Sequence, residues 1–325
     1  MHRAGVAPGV AGSRVRILLA GATGVIGRPL LALLLEQGHE VVAGCRSPDK
    51  LDGLRAQGAE AVAFDALDPD AVREAVSGAR PQALIHQLTS IPAQINPRTM
   101  DRDFELNDRL RTEGTANLVA AAGEAGCERL IAQSIAFAYA PGPSGTIHAE
   151  SDPVISPGQA PKEFRRSAGA VADLEREVLG AGGVVLRYGY FYGPGSAIAR
   201  DGSMAAALAH RRLPVVGSGS GVWSFVHVAD AAAATVAALG LQGPAVLNVV
   251  DDEPARVSEW IPALAEAVGA PRPRRVPAWL ARLAAGAYGT AIMTRAQGAS
   301  NAAARTELEW SPRYPSWREG FRSGL

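Results

Sequence analysis

Short apolar runs alternate with amphipathic stretches over the first 190 residues. Val15–Ala20, Glu40–Cys45, Ala59–Phe64, Ala83–His86, Arg129–Gln133 and Val184–Arg187 read as six buried strands. Between them, Arg28–Gln37, Pro48–Gln57, Pro69–Val76, Phe104–Ala125 and Phe164–Leu179 carry helical patterns. Strand–helix alternation of this kind predicts an α/β fold, a doubly wound parallel sheet with helices on both faces and right-handed crossovers. Two connections are long: Thr89–Arg102, with Pro92 and Pro97, and Ala138–Lys162, with five prolines. Both leave the carboxyl ends of strands, where open α/β sheets bind ligands.

Beyond Gly193 the pattern is mixed. Val222–Val228 reads as a strand entering a helix at Asp230–Leu239, with Asp230 as the expected N-cap. Ala245–Val250 reads as another strand and Val257–Val268 as another helix. The expected organisation is a loose tail over residues 1–13, an α/β domain over 14–187, and mainly a smaller C-terminal lobe over 188–325. Strands around 222–250 are expected to return to the first domain.

Composition narrows the partners. Lys+Arg 32 balances Asp+Glu 32, so no global field favours nucleic acid or an anionic membrane. No segment approaches the ~20 uninterrupted apolar residues of a membrane span. Cys45 and Cys127 form no metal-ligand pattern and read as thiols of a reducing compartment. The expectation is a cytoplasmic protein taking a small-molecule substrate, open to homodimer formation and holding no metal. Only Lys50 and Lys162 are lysines; the remaining positive side chains are arginines.

The strongest local signal is Gly21-Ala-Thr23-Gly24-Val25-Ile26-Gly27, set between the first strand and the first helix. Gly21 can turn the chain tightly, Gly24 lets backbone approach a pyrophosphate, and Gly27 lets helix and strand pack closely. The helix N-terminus offers free N–H groups and partial positive charge to phosphates. The second strand ends without an acid and is followed by Arg46, which can fork onto a 2′-phosphate, with Ser47 adding a hydroxyl. That favours NADP over NAD, although an arginine at a helix mouth also has a plain structural reading. Asp65, ending the third strand beside Ala66, can accept from the adenine amino group; Asp65 or Asp68 can equally cap the next helix.

With these residues, the chain resembles the extended short-chain dehydrogenase/reductases, the NAD(P)-dependent epimerase/dehydratase family, over nearly its whole length. Leu186-Arg-Tyr-Gly-Tyr-Phe-Tyr192-Gly-Pro194-Gly, Trp223-Ser-Phe-Val-His227-Val-Ala-Asp230 and Asn301-Ala-Ala-Ala-Arg-Thr-Glu-Leu-Glu-Trp310 are similar to three further segments of that family. The resemblance implies a Rossmann sheet with the cofactor lying across strands one, four and five. It assigns cofactor contacts to Gly21, Thr23, Gly24, Val25, Ile26, Gly27, Arg46, Asp65, Ala66, Gln87, Leu88, Thr89, Asn107, Gln133 and Tyr190. His86 and Asn107 also read as satisfied interior polar residues, and His227 as a structural hydrogen-bonder.

One part of the family pattern is missing. The usual Tyr-x-x-x-Lys dyad, in which Tyr gives a proton to the substrate oxygen and Lys lowers its pKa, falls on Ser167 and Val171 once Glu175 is aligned. Ser134 approximates the family's catalytic Ser/Thr, with the following spacing off by one, and Tyr139 is the first choice as replacement acid. Tyr188, Tyr190 and Tyr192 alternate, so at least one is expected in the core, and His148 is expected in solvent. The expected function is an NADPH-dependent oxidoreductase of a small carbonyl or hydroxyl metabolite with a non-standard site. A non-catalytic NAD(P)-binding sensor and a nucleotide-sugar epimerase/dehydratase stand as alternatives.

Overall fold

The computed structural model describes residues 14–92, 95–143 and 145–325; the tail expected over 1–13 lies outside them. Seven parallel strands form one sheet: β1 (Arg16–Ala20), β2 (Glu40–Cys45), β3 (Glu60–Ala63), β4 (Ala83–His86), β5 (Arg129–Ile135), β6 (Val184–Tyr188) and, after shorter strands that include β7 and β8 below, β9 (Ala245–Val249). The spatial order is β9-β6-β5-β4-β1-β2-β3. The chain therefore winds outward from β1 through β3, then returns to β4 and winds the other way. The crevice between the carboxyl ends of β1 and β4 is the topological switch point.

Side-chain alternation explains the two helical layers. On β1, Ile17 and Leu19 face one core with Leu30, Leu31 and Leu34 of α1 (Gly27–Glu36). Leu18 and Ala20 face the opposite core with Val72 and Val76 of α3 (Pro69–Ala79). The short α2 (Leu51–Arg55) follows a 3-10 turn, so the helix expected over Pro48–Gln57 is split. The helix expected over Phe104–Ala125 comprises α4 (Glu105–Arg109), a π-helical turn at Leu110–Gly114, and α5 (Thr115–Glu124). α6 (Arg165–Gly180) packs beside them.

The strand expected at Val222–Val228 is interrupted at Ser224, giving Val222–Trp223 and β8 (Phe225–His227). β8 pairs in parallel with β7 (Tyr190–Tyr192) outside the main sheet. His227, not Asp230, caps α7 (Val228–Ala237): its Nδ1 accepts from the Ala229 N–H at 3.1 Å, and its Nε2 lies 3.0 Å from the Gly324 carbonyl. Asp230 instead accepts from the N–H groups of Arg313 and Tyr314, tying the C-terminal segment to α7.

Aromatic packing builds the second lobe. Trp223, Phe225, Trp260, Trp317 and Phe321 form one buried cluster that joins β8 to α8 (Val257–Ala267) and α10 (Trp317–Ser323). The lobe also contributes α9 (Ala278–Thr294), which is broken at Gly286, where φ is 74°. The chain beyond residue 188 does not stay in this lobe. β9 enters the main sheet, α7 packs on α1, and Ala304, Leu308 and Trp310 join the core under α1. Among the described residues, no helix is long and apolar enough to cross a membrane.

Candidate active site

The glycine loop is held from below by the neighbouring strands. Gly21 donates to the Gly44 carbonyl at 3.0 Å and has φ of 96°; a Cβ there would lie 2.7 Å from the Gln87 carbonyl oxygen. At Gly27 a Cβ would meet the Gly21 carbonyl at 2.1 Å. Both positions therefore exclude any side chain. Gly24 is exposed, and a Cβ there meets only the Gly21 carbonyl at 3.3 Å, so this glycine borders open space. Neither a side-chain cap nor a first-turn acid occupies the start of α1. Among the described residues, the N–H groups of Thr23, Val25 and Ile26 make no hydrogen bond. This is an anion cradle fitted to a pyrophosphate. Thr23, Gly24, Val25 and Arg28 face Pro194, Gly195 and His227–Ala229 across a cleft of about 520 Å³.

At the adenosine end, Arg46 is exposed and makes no ion pair among the described residues. Asp65 is exposed, accepting only from the Leu67 N–H, while Asp68 is the residue that caps α3. Ala66 is buried beside it, its carbonyl accepting from Asn117. After β4, His86 is buried, and burial lowers its pKa to about 4, with the Arg111 charge adding to the effect. Its Nδ1 accepts from the Leu88 N–H, so Nε2 carries the proton toward Thr115 Oγ1 at 3.1 Å. Gln133 donates to the Leu88 carbonyl, and Asn107 Oδ1 accepts from the Ser90 N–H, next to exposed Thr89. Gln87 Oε1 and Asn107 Nδ2 are buried without partners among the described residues. The exposed glycine backbone and these two orphan atoms fit a polar cofactor laid across β1 and β4.

Beyond the end of β5 the site changes character. Ser134 donates to Glu175 at 2.7 Å, and Arg187 forks onto both Glu175 oxygens at 2.8 and 2.7 Å. Arg187 also donates to the Tyr139 hydroxyl at 2.9 Å, which donates in turn to Asn248 at 2.7 Å. Burial opposes the Arg187 charge, but the Glu175 fork outweighs it and raises its pKa. Burial likewise raises the Tyr139 pKa. The hydroxyls expected to do chemistry, Ser134 and Tyr139, are thus committed to a buried network joining β5, β6, β9 and α6. His148 is not in solvent: it is buried, stacked on Tyr139 with centroids 4.5 Å apart, and paired with Asp152 at 2.9 Å.

On α6, the Ser167 hydroxyl donates to Asp108 at 3.0 Å. Val171 joins an apolar cluster with Phe104, Ala138, Phe164 and Ala168, against which Ile135 and Tyr288 pack. Tyr188 and Tyr192 are core residues. Tyr190 is half-buried, its ring stacked between Phe137 at 4.3 Å and Trp223 at 3.8 Å. Two residues near this end escaped sequence reasoning. Tyr288 stacks on Phe164 at 5.0 Å, aimed there by the Gly286 break, where Glu163 accepts from the Ala287 N–H. Arg111 is buried in the π-helical turn, one turn beyond Asn107, and that spacing was the available signal.

The model of the NAD dependent epimerase/dehydratase family matches residues 17–249. The chain belongs to that family. It is 46% identical over 310 residues to a 3-diazoavenalumate denitrifying reductase from a Streptomyces species, covering 94% of this chain and 99% of the relative. It is 30% identical to the 2-alkyl-3-oxoalkanoate reductase of Stenotrophomonas maltophilia, over 79% of this chain and 77% of that one. The Thermus thermophilus UDP-glucose 4-epimerase, solved with NAD, superposes with a TM-score of 0.71 at 26% identity, covering 94% of this chain and 96% of that one. As a family member related along its length to named reductases, the chain is an NAD(P)-dependent oxidoreductase or epimerase.

Proposed function

We propose that this protein is an NADPH-dependent reductase of an aromatic diazo compound, releasing dinitrogen. The observation that carries the reading is that Val171, at the position of the family's lysine, lies in an apolar cluster with Phe164, Ile135 and Tyr288, while Ser167, at the position of its proton donor, is bound to Asp108. The 46% identity to a denitrifying reductase supports it. A ketone accepting hydride becomes an alkoxide, and a positioned acid then contributes typically ~10²–10⁴-fold. An arenediazonium ion is already a cation and ends neutral, so that acid is dispensable. Bound in the cradle, the reduced cofactor supplies hydride; arenediazonium plus NADPH giving arene, dinitrogen and NADP⁺ balances in atoms, electrons and charge.

The residues of the chain then have three tasks. The loop Gly21–Gly27 holds the pyrophosphate, and Arg46 attracts a 2′-phosphate. Val171, Ile135, Phe137 and Phe164 keep water from a reactive acceptor, and the rings of Tyr190 and Trp223 set a rigid aromatic wall. Ser134 and Tyr139 hold the floor through Glu175 and Arg187 and move no proton. The experiment is NADPH oxidation against two panels, arenediazonium salts at pH 6 and small ketones including 3-oxoalkanoates. The reading expects turnover confined to the diazonium panel; turnover confined to ketones overturns it.

A further inference from the structure

The balanced charge of the whole chain hides a local imbalance. Residues 267–306 contain six arginines and no aspartate or glutamate. Arg272, Arg274, Arg275 and Arg282 of this stretch are exposed. Backbone pairing brings two more to the same place. The strand Arg275–Val276 runs parallel to Val215–Val216: the Val215 N–H donates to the Arg274 carbonyl at 2.9 Å, and the Gly217 N–H to the Val276 carbonyl at 2.8 Å. Exposed Arg211 and Arg212 lead directly into that partner strand.

Among the described residues, none of these six guanidiniums makes a hydrogen bond or an ion pair. The adjoining elements bring few acids. Glu259 of α8 is paired with Arg318, and Glu163 is bound to the Ala287 N–H. Glu266 at the end of α8 and Asp201 are left, and Arg200, which reaches the Ala267 carbonyl, adds a further positive charge. With the chain balanced as a whole, a matching acidic excess lies elsewhere, so the molecule is electrically polarised toward this surface.

The helix that follows the arginine strand supplies an apolar counterpart. At the start of α9, Trp279, Leu280 and Leu283 are 68%, 44% and 65% exposed. Helical spacing sets them with Arg282 on one face, while Ala281, on the opposite side, is buried. The break at Gly286 ends this face. The other four tryptophans, Trp223, Trp260, Trp310 and Trp317, are buried, so Trp279 is the exception that needs an occupant.

We propose that this surface docks on an anionic phospholipid bilayer. The arginines meet the headgroup phosphates, and Trp279 with Leu283 enters the boundary between headgroups and acyl chains. Tryptophan and leucine beside arginine is the side-chain mixture of helices that lie in that boundary. A nucleic acid would use the arginines but leave the leucines in water. A two-fold contact with a second copy would bring two arginine clusters together. The inference stands apart from the reductase reading, since no residue in it belongs to the cofactor crevice.

The test is partition of the full chain, at about 0.1 M salt, onto vesicles of phosphatidylcholine with and without about 30% phosphatidylglycerol. Binding to the anionic vesicles is expected to be at least about tenfold stronger, with tryptophan emission shifted to the blue as Trp279 leaves water. Arg274→Glu with Arg275→Glu should weaken it at least about tenfold, and Trp279→Ala with Leu283→Ala about tenfold. Because these side chains lie in solvent, both double variants should keep NADP⁺ affinity within about twofold. Equal partition onto the two vesicles overturns the proposal. So does undiminished binding of the Trp279→Ala, Leu283→Ala variant, which would leave a plain polyanion site. A dimer in sedimentation equilibrium that Trp279→Ala dissociates would assign the face to a second copy and overturn it too.

Discussion

The two ends of the cofactor crevice are built on opposite physical plans. The adenosine end is open and made largely of backbone: an exposed glycine loop, N–H groups that are free among the described residues, and the exposed side chains of Arg46 and Asp65. The nicotinamide end is closed and made of side chains: an apolar cluster, a forked Glu175–Arg187 pair, and the Ser134 and Tyr139 hydroxyls bound to it. A backbone cradle recognises a pyrophosphate through geometry that most side-chain changes leave alone, so it can serve many reactions. A side-chain site is rewritten position by position. The difference places the chemical identity of this protein in the second region.

The sharpest way to break the first region is Gly27→Ala. Its Cβ would sit 2.1 Å from the Gly21 carbonyl, so helix and loop must separate. NADPH affinity by fluorescence titration should fall by at least about 100-fold, with a lower melting temperature. The second region is most vulnerable at Glu175, which is buried together with Arg187. Glu175→Gln leaves that guanidinium uncompensated and should cost about 3–5 kcal/mol in urea denaturation.

A third prediction uses the histidine lying between the two regions. Burial holds His86 at about 4 in the folded protein against 6.5 when unfolded, so the unfolded chain binds the extra proton between these values. Its contribution is therefore fully present above pH 6.5 and lost as pH falls toward 4, a span of about 3 kcal/mol. Denaturation from pH 7 to pH 4 should show this loss, and His86→Asn should flatten the slope.

Much of the first region was legible because its signals are local. A buried strand, three glycines and an apolar helix stand within one stretch of sequence, and their spacing alone fixes the turn. The second region depends on groups brought together from afar. Tyr288 reaches Phe164 only because Gly286 breaks α9 and Glu163 receives the freed N–H. His148 reads as a loop histidine until Tyr139 and Asp152 close around it. Asp230 has the residue type of a cap, yet His227 captures the role and Asp230 serves the C-terminal segment.

Smaller effects sharpen the contrast. Arg46→Ala should weaken NADPH about tenfold while leaving NADH within about twofold, since only the 2′-phosphate needs the fork. Equal losses would remove Arg46 from phosphate recognition. Tyr139→Phe should lower kcat less than about threefold, because its hydroxyl is engaged by Arg187 and Asn248. A proton donor at that position would instead show a loss of ~10²–10⁴-fold.

The most direct test of the central claim, hydride delivery without a protein acid, is the stoichiometry of a diazonium reaction. An arenediazonium bearing a carboxylate is incubated with NADPH and enzyme at pH 6, and the enzyme-free rate is subtracted. The account predicts NADPH consumed, arene formed and dinitrogen released in equal amounts, with the same stoichiometry in Tyr139→Phe. NADPH oxidation with ketones alone, or arene formation abolished in Tyr139→Phe, would contradict it.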